Sequence, residues 1–452
     1  MRRTADVVIC GAGIAGVAAA YHLTARFGVR NVVLVDERQP LTLTSDKGTQ
    51  CYRNWWPGPD DTMLRLVSRS IDLLEQSAEE SGNTFRMNRR GYLFATASDA
   101  QAKTLESTAR AVSAFGMGPL RIHHDAGSYL PGRPEGFAEG ATGADLLHGD
   151  EARRAFPFMS REMVCAMHVR RAGCLNAVAL GTWLFDQAVA AGTSFVRDRV
   201  DGVGISAGQM RAVHLASGDV IETECLVIAA GPGLPRVAKL LDIELPVFHE
   251  LHAKLTIRDP HRAVPRDAPF VIWTDPIQLD WSAAERELLE RHESTRRLVE
   301  QLPAGVHARP VDLTHGDEVY LIWTFETDVR PYVWPPVFSP HYADVVLRGC
   351  ARMIPATGRY VGATTGVVDG GYYCKTPENR PLIGPLGVKG AYVLGALSGS
   401  GVMAAHGSAE LLAQHVAGAT LPEYAHWFLP SRYDDAKYRA LVDVWGPLVG
   451  QL

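Results

Sequence analysis

Asp6-Val7-Val8-Ile9-Cys10, Gly11-Ala12-Gly13-Ile14-Ala15-Gly16 and Val17-Ala18-Ala19-Ala20-Tyr21-His22-Leu23 follow one another near the start of the chain. A short apolar β-type run, a Gly-x-Gly-x-x-Gly turn and an alanine-rich segment with helical spacing describe the first strand, turn and helix of a dinucleotide-binding βαβ unit. Gly11 permits the tight turn, Gly13 lets a pyrophosphate approach the backbone, and Gly16 lets the helix lie close to the strand. The helix start, at Ile14 and Ala15, then presents unpaired N–H groups and a positive dipole end to the phosphates. Further along, Asn31-Val32-Val33-Leu34-Val35-Asp36 is a second apolar strand whose terminal acid lies twenty positions beyond Gly16. A carboxylate there accepts from a ribose hydroxyl.

A chain of 452 residues is too long for one ordinary core, so two domains or one large composite fold are expected. Hydrophobic residues make up 46%, charged residues 21%, and the net charge is −5, with no basic excess to suggest nucleic acid. The seven cysteines are scattered without a Cys-x-x-Cys pair or zinc-type spacing, so no metal site is expected. An odd, unclustered set favours a reducing compartment, here the cytoplasm. Met1-Arg2-Arg3 before an apolar run mimics a signal peptide, but that run is the nucleotide-binding turn itself. No uninterrupted apolar run reaches the roughly 18 residues of a membrane span.

Apolar positions recur at helical spacing from Asp61 to Ser81, and Gly91 to Thr96 reads as a strand. The stretch from His124 to Gly149 lacks periodicity and reads as a long loop, an insertion or a lid. A turn at Gly173 to Asn176 precedes a helix to Gly192, and Arg211 to Asp219 carries a hairpin signal. Cys225 to Gly231 is a fully apolar strand ending in glycine, suited to a parallel sheet buried on both faces. Leu251 to Ile257 and Val319 to Phe325 alternate as antiparallel strands do, and Ser282-Ala283-Ala284-Glu285 opens a charged helix running through Leu288, Leu289 and Leu298. In the last third, Ala391 to Gly395 is a strand, and Ser398-Gly399-Ser400-Gly401 opens a helix from Val402. That second glycine turn is either an ordinary helix cap or another helix start aimed at an electron-rich group.

Taken together, the chain resembles the D-amino-acid-oxidase-like flavoproteins, in particular their branch of sarcosine oxidases, sarcosine oxidase beta subunits and dimethylglycine dehydrogenases. The resemblance rests on the Gly11-Gly13-Gly16 turn with Asp36, Thr49 to Arg53, Ala172 to Gly192, Ala229-Ala230-Gly231, Thr376-Pro377 with Pro381 to Gly384, and Ser398 to Gly401. It implies an α/β fold in which a Rossmann-like FAD-binding domain (1–87, 150–235 and 362–452) is interleaved with a substrate domain built on a mixed or antiparallel sheet (88–149 and 236–361). It also implies FAD as cofactor, with Glu37, Thr44, Ser45, Val200, Ala230 and Gly231 beside the nucleotide and Gly399, Ser400, Gly401 and Val402 at the pyrimidine edge of the flavin. Hydride arriving at flavin N5 leaves negative charge near N1 and O2, which a helix start stabilises.

The family's Thr-Arg-Ile-Ile-Arg motif resembles Thr49-Gln50-Cys51-Tyr52-Arg53, making Arg53 a candidate clamp for a substrate carboxylate or else a structural ion-pair partner. Tyr373 falls where sarcosine oxidases place an active-site tyrosine. The flavin-linking cysteine position is Gly371, with Cys374 off register, so FAD is expected to be bound non-covalently. The second carboxylate-binding lysine is replaced by Met403, and the strand Glu318 to Trp323 carries no oxygen-activating lysine. Lys47, His252 and Lys254 are candidate replacement charges, although long polar side chains more often lie at the surface or behind a site. Trp55, Trp56, Trp323 and Trp334 suggest an aromatic substrate chamber, or simply core. The implied activity is oxidation of the C–N bond of an amino acid or secondary amine by hydride transfer to FAD, giving an imine that water hydrolyses. Electrons would pass to O2 or to a quinone or protein carrier. The alternatives are the same flavoenzyme acting on an intermediate that lacks a carboxylate, and a flavin-bound assembly protein with little turnover.

Overall fold

A computed structural model describes residues 2–132, 136–138, 140–311 and 316–445. Strands Val7–Cys10, Val32–Asp36 and Leu226–Ile228 are apolar apart from the terminal Asp36, and all their other residues are buried, as a parallel sheet covered on both faces requires. They form the centre of a six-stranded sheet in the order Ser194–Arg197, Val32–Asp36, Val7–Cys10, Leu226–Ile228, Ala391–Gly395, Leu382–Pro385. All neighbours in it are parallel except the last pair. The expected return of the Cys225 to Gly231 strand to the first sheet is therefore observed.

A nine-stranded, mostly antiparallel sheet lies beside it, in the order Val367–Lys375, Phe248–Arg258, Glu318–Trp323, Val306–Pro310, Phe270–Trp273, Tyr92–Thr96, Cys165–Val169, Ala144–His148, Leu120–His123. Two of its strands, Cys165–Val169 and Val367–Lys375, come from segments expected to surround the nucleotide, so the sheets do not follow the division drawn from the sequence at those places. The stretch from His124 to Gly149 is not one loop, because Ala144–His148 pairs in register with Cys165–Val169. Residues 133–135 and 139 of that stretch, like 446–452, lie outside the described residues. The capping box at Ser282 and Glu285 is present, yet the helix it opens spans only Ala283–Glu290; a separate short helix, Glu293–Arg296, follows.

Helices Ile14–Tyr21 and Gly401–Ala417 pack against each other and on the parallel sheet, and Thr62–Ser81 packs on Gly401–Ala417. A buried polar relay ties them. His22 Nε2 lies 2.8 Å from His406 Nδ1, and His406 Nε2 lies 2.9 Å from Ser77 Oγ. Burial drives His22 well below, and His406 down to about 3 from, the usual imidazole value, so both rings are neutral.

Candidate active site

The nucleotide-binding turn begins where Val7–Cys10 ends. Gly11 has φ +110°, and a Cβ on it would sit 2.4 Å from the Ala229 carbonyl oxygen. A Cβ on Gly16 would sit 1.8 Å from the Gly11 oxygen, which is the close helix approach expected of the third glycine. Ile14 N–H, in the first turn of helix Ile14–Tyr21, donates to Ser45 Oγ at 2.9 Å. Asp36 accepts from the Ala12 N–H at 2.7 Å and the Arg38 N–H at 2.9 Å, which holds its carboxylate at the end of the strand.

The second glycine turn meets the first. A Cβ on Gly401 would lie 3.9 Å from Ile14 Cγ2, so the two helix starts are neighbours. No side chain caps helix Gly401–Ala417, because Ser400 Oγ turns back to donate to the Leu397 carbonyl at 2.7 Å.

Four cavities that share lining residues run through this region as one crevice. At one end a space of about 100 Å³ touches Asp36, Glu37, Val200, Arg236 and Tyr332. Next, about 110 Å³ is bordered by Gly11, Gly13, Ile14, Ala15, Ser45, Ala230 and Gly231. A third of about 80 Å³ lies against Ile14, Thr44, Lys47, Lys254, Gly371, Gly399 and Val402. The last is a chamber of about 560 Å³, reached past Tyr373, Gly399 and Ser400. An acid end, a cradle of backbone at two helix starts and a wider apolar end match the ribose, pyrophosphate and ring system of a flavin dinucleotide. The crevice therefore brings every expected cofactor residue but Gly16 to its walls; Gly16 is buried beneath, where the helix meets the strand.

The chamber is walled by Trp56, Tyr92, Phe270, Ile322, Tyr373 and Met403, with Arg53, His252, His307, Thr324 and Asn379 as polar groups. Among the described residues Arg53 forms no ion pair. Its Nε makes one long bond to the Trp55 carbonyl at 3.4 Å, and its guanidinium lies over the Tyr92 ring, 5.2 Å from the centroid. The structural ion-pair alternative for Arg53 thus lacks a partner. Met403, in the place of the missing lysine, accepts the Arg53 backbone N–H through its sulfur at 3.1 Å.

Tyr373 stacks on His252 with centroids 3.7 Å apart, and Gly399 leaves room for its ring, since a Cβ there would come within 2.4 Å of Tyr373 Cε2. His252 Nε2 is 2.9 Å from Glu250 Oε2, whose other oxygen accepts from Lys375 Nζ at 3.0 Å. Burial works against the Glu250 charge, but His252 and Lys375 outweigh it and hold the carboxyl below its usual range. An ionised Glu250 places the ring proton of His252 on Nε2 and leaves Nδ1 to accept from Thr324 Oγ1 at 3.1 Å. Burial lowers His252, and lowers His307 to about 4, so both rings at the chamber wall are neutral.

The surface reading of His252 and Lys254 is corrected: they are 8% and 4% exposed. Lys254 Nζ donates to the Lys47 carbonyl at 2.8 Å and the Asp46 carbonyl at 3.2 Å, pinning that loop to the sheet, and Lys47 pairs with Asp369 at 3.1 Å. Of the four tryptophans, Trp56 lines the chamber; Trp55 and Trp323 are core, and Trp334 stacks under Arg38. Tyr92, Phe270, His307 and Asn379 were not singled out from the sequence, because only the long-range pairing of the nine-stranded sheet and the turn after Lys375 bring them to one chamber.

A family model described as FAD dependent oxidoreductase matches residues 6–415. Among solved structures, L-proline dehydrogenase from P. horikoshii is similar over 96% of this chain and 99% of its own, with a TM-score of 0.74 and 20% identity. Iminodiacetate oxidase from a Chelativorans species is similar over 94% and 98%, with a TM-score of 0.69 and 18% identity. Glycine oxidase from Bacillus cereus is similar over 92% and 95%, with a TM-score of 0.68 and 15% identity. At these identities the likeness establishes the fold. No curated protein gives a match. Among the described residues no group of side chains could hold a metal ion, and no helix is long and apolar enough to cross a membrane.

Proposed function

Because the chain belongs to the family of FAD-dependent oxidoreductases, we propose that it oxidises the C–N bond of an amino acid or secondary amine that carries a carboxylate and a bulky apolar group. The observation that carries this reading is Arg53: a guanidinium with no acidic partner among the described residues, opening into an aromatic-walled chamber that joins the crevice between two helix starts. Asp36, Ser45 and the backbone from Gly11 to Ala15 would hold the nucleotide half of FAD, and Gly399 to Val402 the ring edge. With Gly371 at the position of the family's linking cysteine and the Cys374 thiol pushed up to about 12 by burial, the cofactor is held without a covalent bond. FAD, when bound, supplies a two-electron acceptor. Arg53 grips the carboxylate with its planar fork, which fixes one end of the substrate. Trp56, Tyr92 and Phe270 take the apolar end and exclude water. Tyr373, held by the His252 stack and the Gly399 contact, sets the substrate's height in the chamber. With both ring nitrogens of the neutral His252 held by Glu250 and Thr324, that wall adds no positive charge that would repel an amine, and the Thr324 hydroxyl oxygen is left to accept.

The test is anaerobic mixing of the yellow holoprotein with N-methyl, secondary and primary amino acids of increasing side-chain size. Bleaching of the flavin should be faster with bulky apolar members than with glycine or sarcosine. Bleaching only by amines that lack a carboxylate, or by none of the panel, would overturn the reading.

A further inference from the structure

Seven cysteines that look unrelated in the sequence include one built pair. Cys51 and Cys174 are direct partners on the two-stranded antiparallel ribbon of Cys51–Arg53 and Ala172–Cys174, and their sulfurs are 2.9 Å apart. The neighbouring hydrogen bond, Leu175 N–H to the Gln50 carbonyl at 3.0 Å, makes Gln50 and Leu175 the adjacent hydrogen-bonded pair. Cys51 and Cys174 are therefore a non-hydrogen-bonded pair, in which side chains stand closest and the Cα separation, about 4.5 Å, falls within the range a disulfide spans. Both are free thiols. Cys51 forms part of the chamber wall, two residues from Arg53.

A charge is waiting beside them. Arg309 is 2% exposed, and among the described residues its guanidinium donates to the carbonyls of Thr49, Pro310 and Val311, while lying over the Tyr320 ring. Among the described residues no carboxylate pairs with it. The acidic groups acting on it most strongly are the two thiols, ahead of Tyr320 and Tyr92. A buried guanidinium without a carboxylate is costly unless another anion answers it. A thiolate shared between Cys51 and Cys174, whose sulfurs are in contact, would be such an anion. Burial opposes ionisation of Cys174, but the Cys51 hydrogen bond and the charges of Arg309 and Arg90 outweigh it and bring the thiol to about 7.

We propose that Cys51 and Cys174 form a redox modification site at the chamber wall, a dithiol that reacts with hydrogen peroxide and closes to an intramolecular disulfide. In the first step the Cys174 thiolate attacks a peroxide oxygen; the O–O bond breaks, Cys174 becomes a sulfenic acid and the released hydroxide takes up a proton as water. Cys51 sulfur then attacks Cys174 sulfur, the S–S bond forms, the S–O bond breaks, and the second water leaves with the Cys51 proton. Two thiols lose two electrons and two protons, and one peroxide becomes two waters. This site stands independently of the substrate assignment and of the electron acceptor.

The reduced holoprotein is exposed to a few equivalents of hydrogen peroxide, quenched with an alkylating agent, unfolded, digested and weighed. The Cys51 and Cys174 peptides should appear joined and two hydrogens lighter, and separate again on reduction. Joining should outpace oxidation of Cys225 by more than about tenfold. Cys225 is the one cysteine that is not fully buried, and burial still pushes its thiol up to about 12. In Cys174→Ser, with an unchanged flavin spectrum as the check on folding, the joined species should vanish and Cys51 should stay alkylatable. In Arg309→Gln the rate's pH midpoint should move upward, because the Arg309 charge favours the thiolate. Two results overturn the proposal: both thiols staying free while Cys225 oxidises, or Cys174 passing to a sulfinic acid with Cys51 unlinked.

Discussion

Replacing Arg53 by methionine should separate ligand binding from folding, because the guanidinium does little for the empty protein. Its one long bond to Trp55 and its position 5.2 Å over the Tyr92 ring amount to about 0.5–1 kcal/mol at a half-buried site. The melting temperature should therefore fall by no more than a few degrees. Against a bound carboxylate the loss is larger. Two parallel charge-assisted hydrogen bonds contribute about 1.5–3 kcal/mol each. Allowing half of that for desolvation leaves about 1.5–3 kcal/mol, or roughly ten- to a hundredfold in Kd. Arg53→Lys should fall between, since an ammonium supplies the charge without the fork. The assay is titration of the holoprotein with inert aromatic carboxylates, followed by the shift they cause in the flavin's visible band. The reasoning is refuted if Arg53→Met changes carboxylate Kd by less than about threefold while the melting temperature and flavin content hold.

Gly16→Ala places a Cβ 1.8 Å from the Gly11 oxygen, so the helix start must move off the strand; the purified protein should lose bound FAD, read as the ratio of 450 to 280 nm absorbance. His22 and His406, neutral in the fold, take up protons on unfolding below the usual imidazole value. Their contribution is thus complete above about pH 6.5 and is lost as pH falls from there toward 3, by up to about 1.4 kcal/mol per pH unit for each ring. Urea midpoints between pH 7 and 5 should show that slope, and His406→Gln should flatten it. Acid precipitation of the holoprotein should leave the yellow colour in the supernatant, whereas colour in the pellet would contradict non-covalent binding. Flavin reduction by an amino acid should speed up with pH through the substrate amine's apparent pKa, because only the neutral amine has a lone pair to assist; a flat profile from pH 6 to 10 would count against C–N oxidation.

What was legible in the sequence is what local geometry encodes. Val7 to Gly16 places strand, turn and helix within one short segment, and Asp36 follows at the spacing one βα unit allows, so each reads from its own neighbourhood. The chamber is different. Tyr92, Phe270 and His307 sit on strands whose pairing depends on contacts across most of the chain, and no periodicity within any one strand reveals its neighbours. The same holds for Cys51 and Cys174, separated by 123 positions and joined by a three-residue ribbon too short to announce itself. Residue type alone leaves His252 and Lys254 at the surface, behind a site or in it; Glu250, Thr324 and the carbonyls of Asp46 and Lys47 supply the partners that let them be buried. At Arg291 and His292 the charged helix breaks although Leu298 keeps the apolar pattern, because Leu298 reaches the same core from a separate turn.

That two distant glycine turns meet follows from strand order. Val7–Cys10 and Ala391–Gly395 flank Leu226–Ile228 on either side, and all three run parallel. Their C-terminal ends therefore lie along one edge, and a helix leaving either strand must start at that edge. Topology alone would bring the two starts near each other in a chain of many sequences. Glycine decides what they can do there. With a Cβ at Gly11 or Gly16 the first turn could not close, and with one at Gly399 the Tyr373 ring would be expelled from its place on His252. Side chains at these positions would fill the cradle, whereas glycine leaves the backbone N–H groups of both helices facing one crevice. Two positive dipole ends in one cleft repel each other weakly and would attract an anion jointly, so a pyrophosphate and the electron-rich edge of a flavin held there would offset that repulsion. Cofactor binding should accordingly stabilise the fold as well as enable the chemistry, with a melting temperature that rises with free FAD.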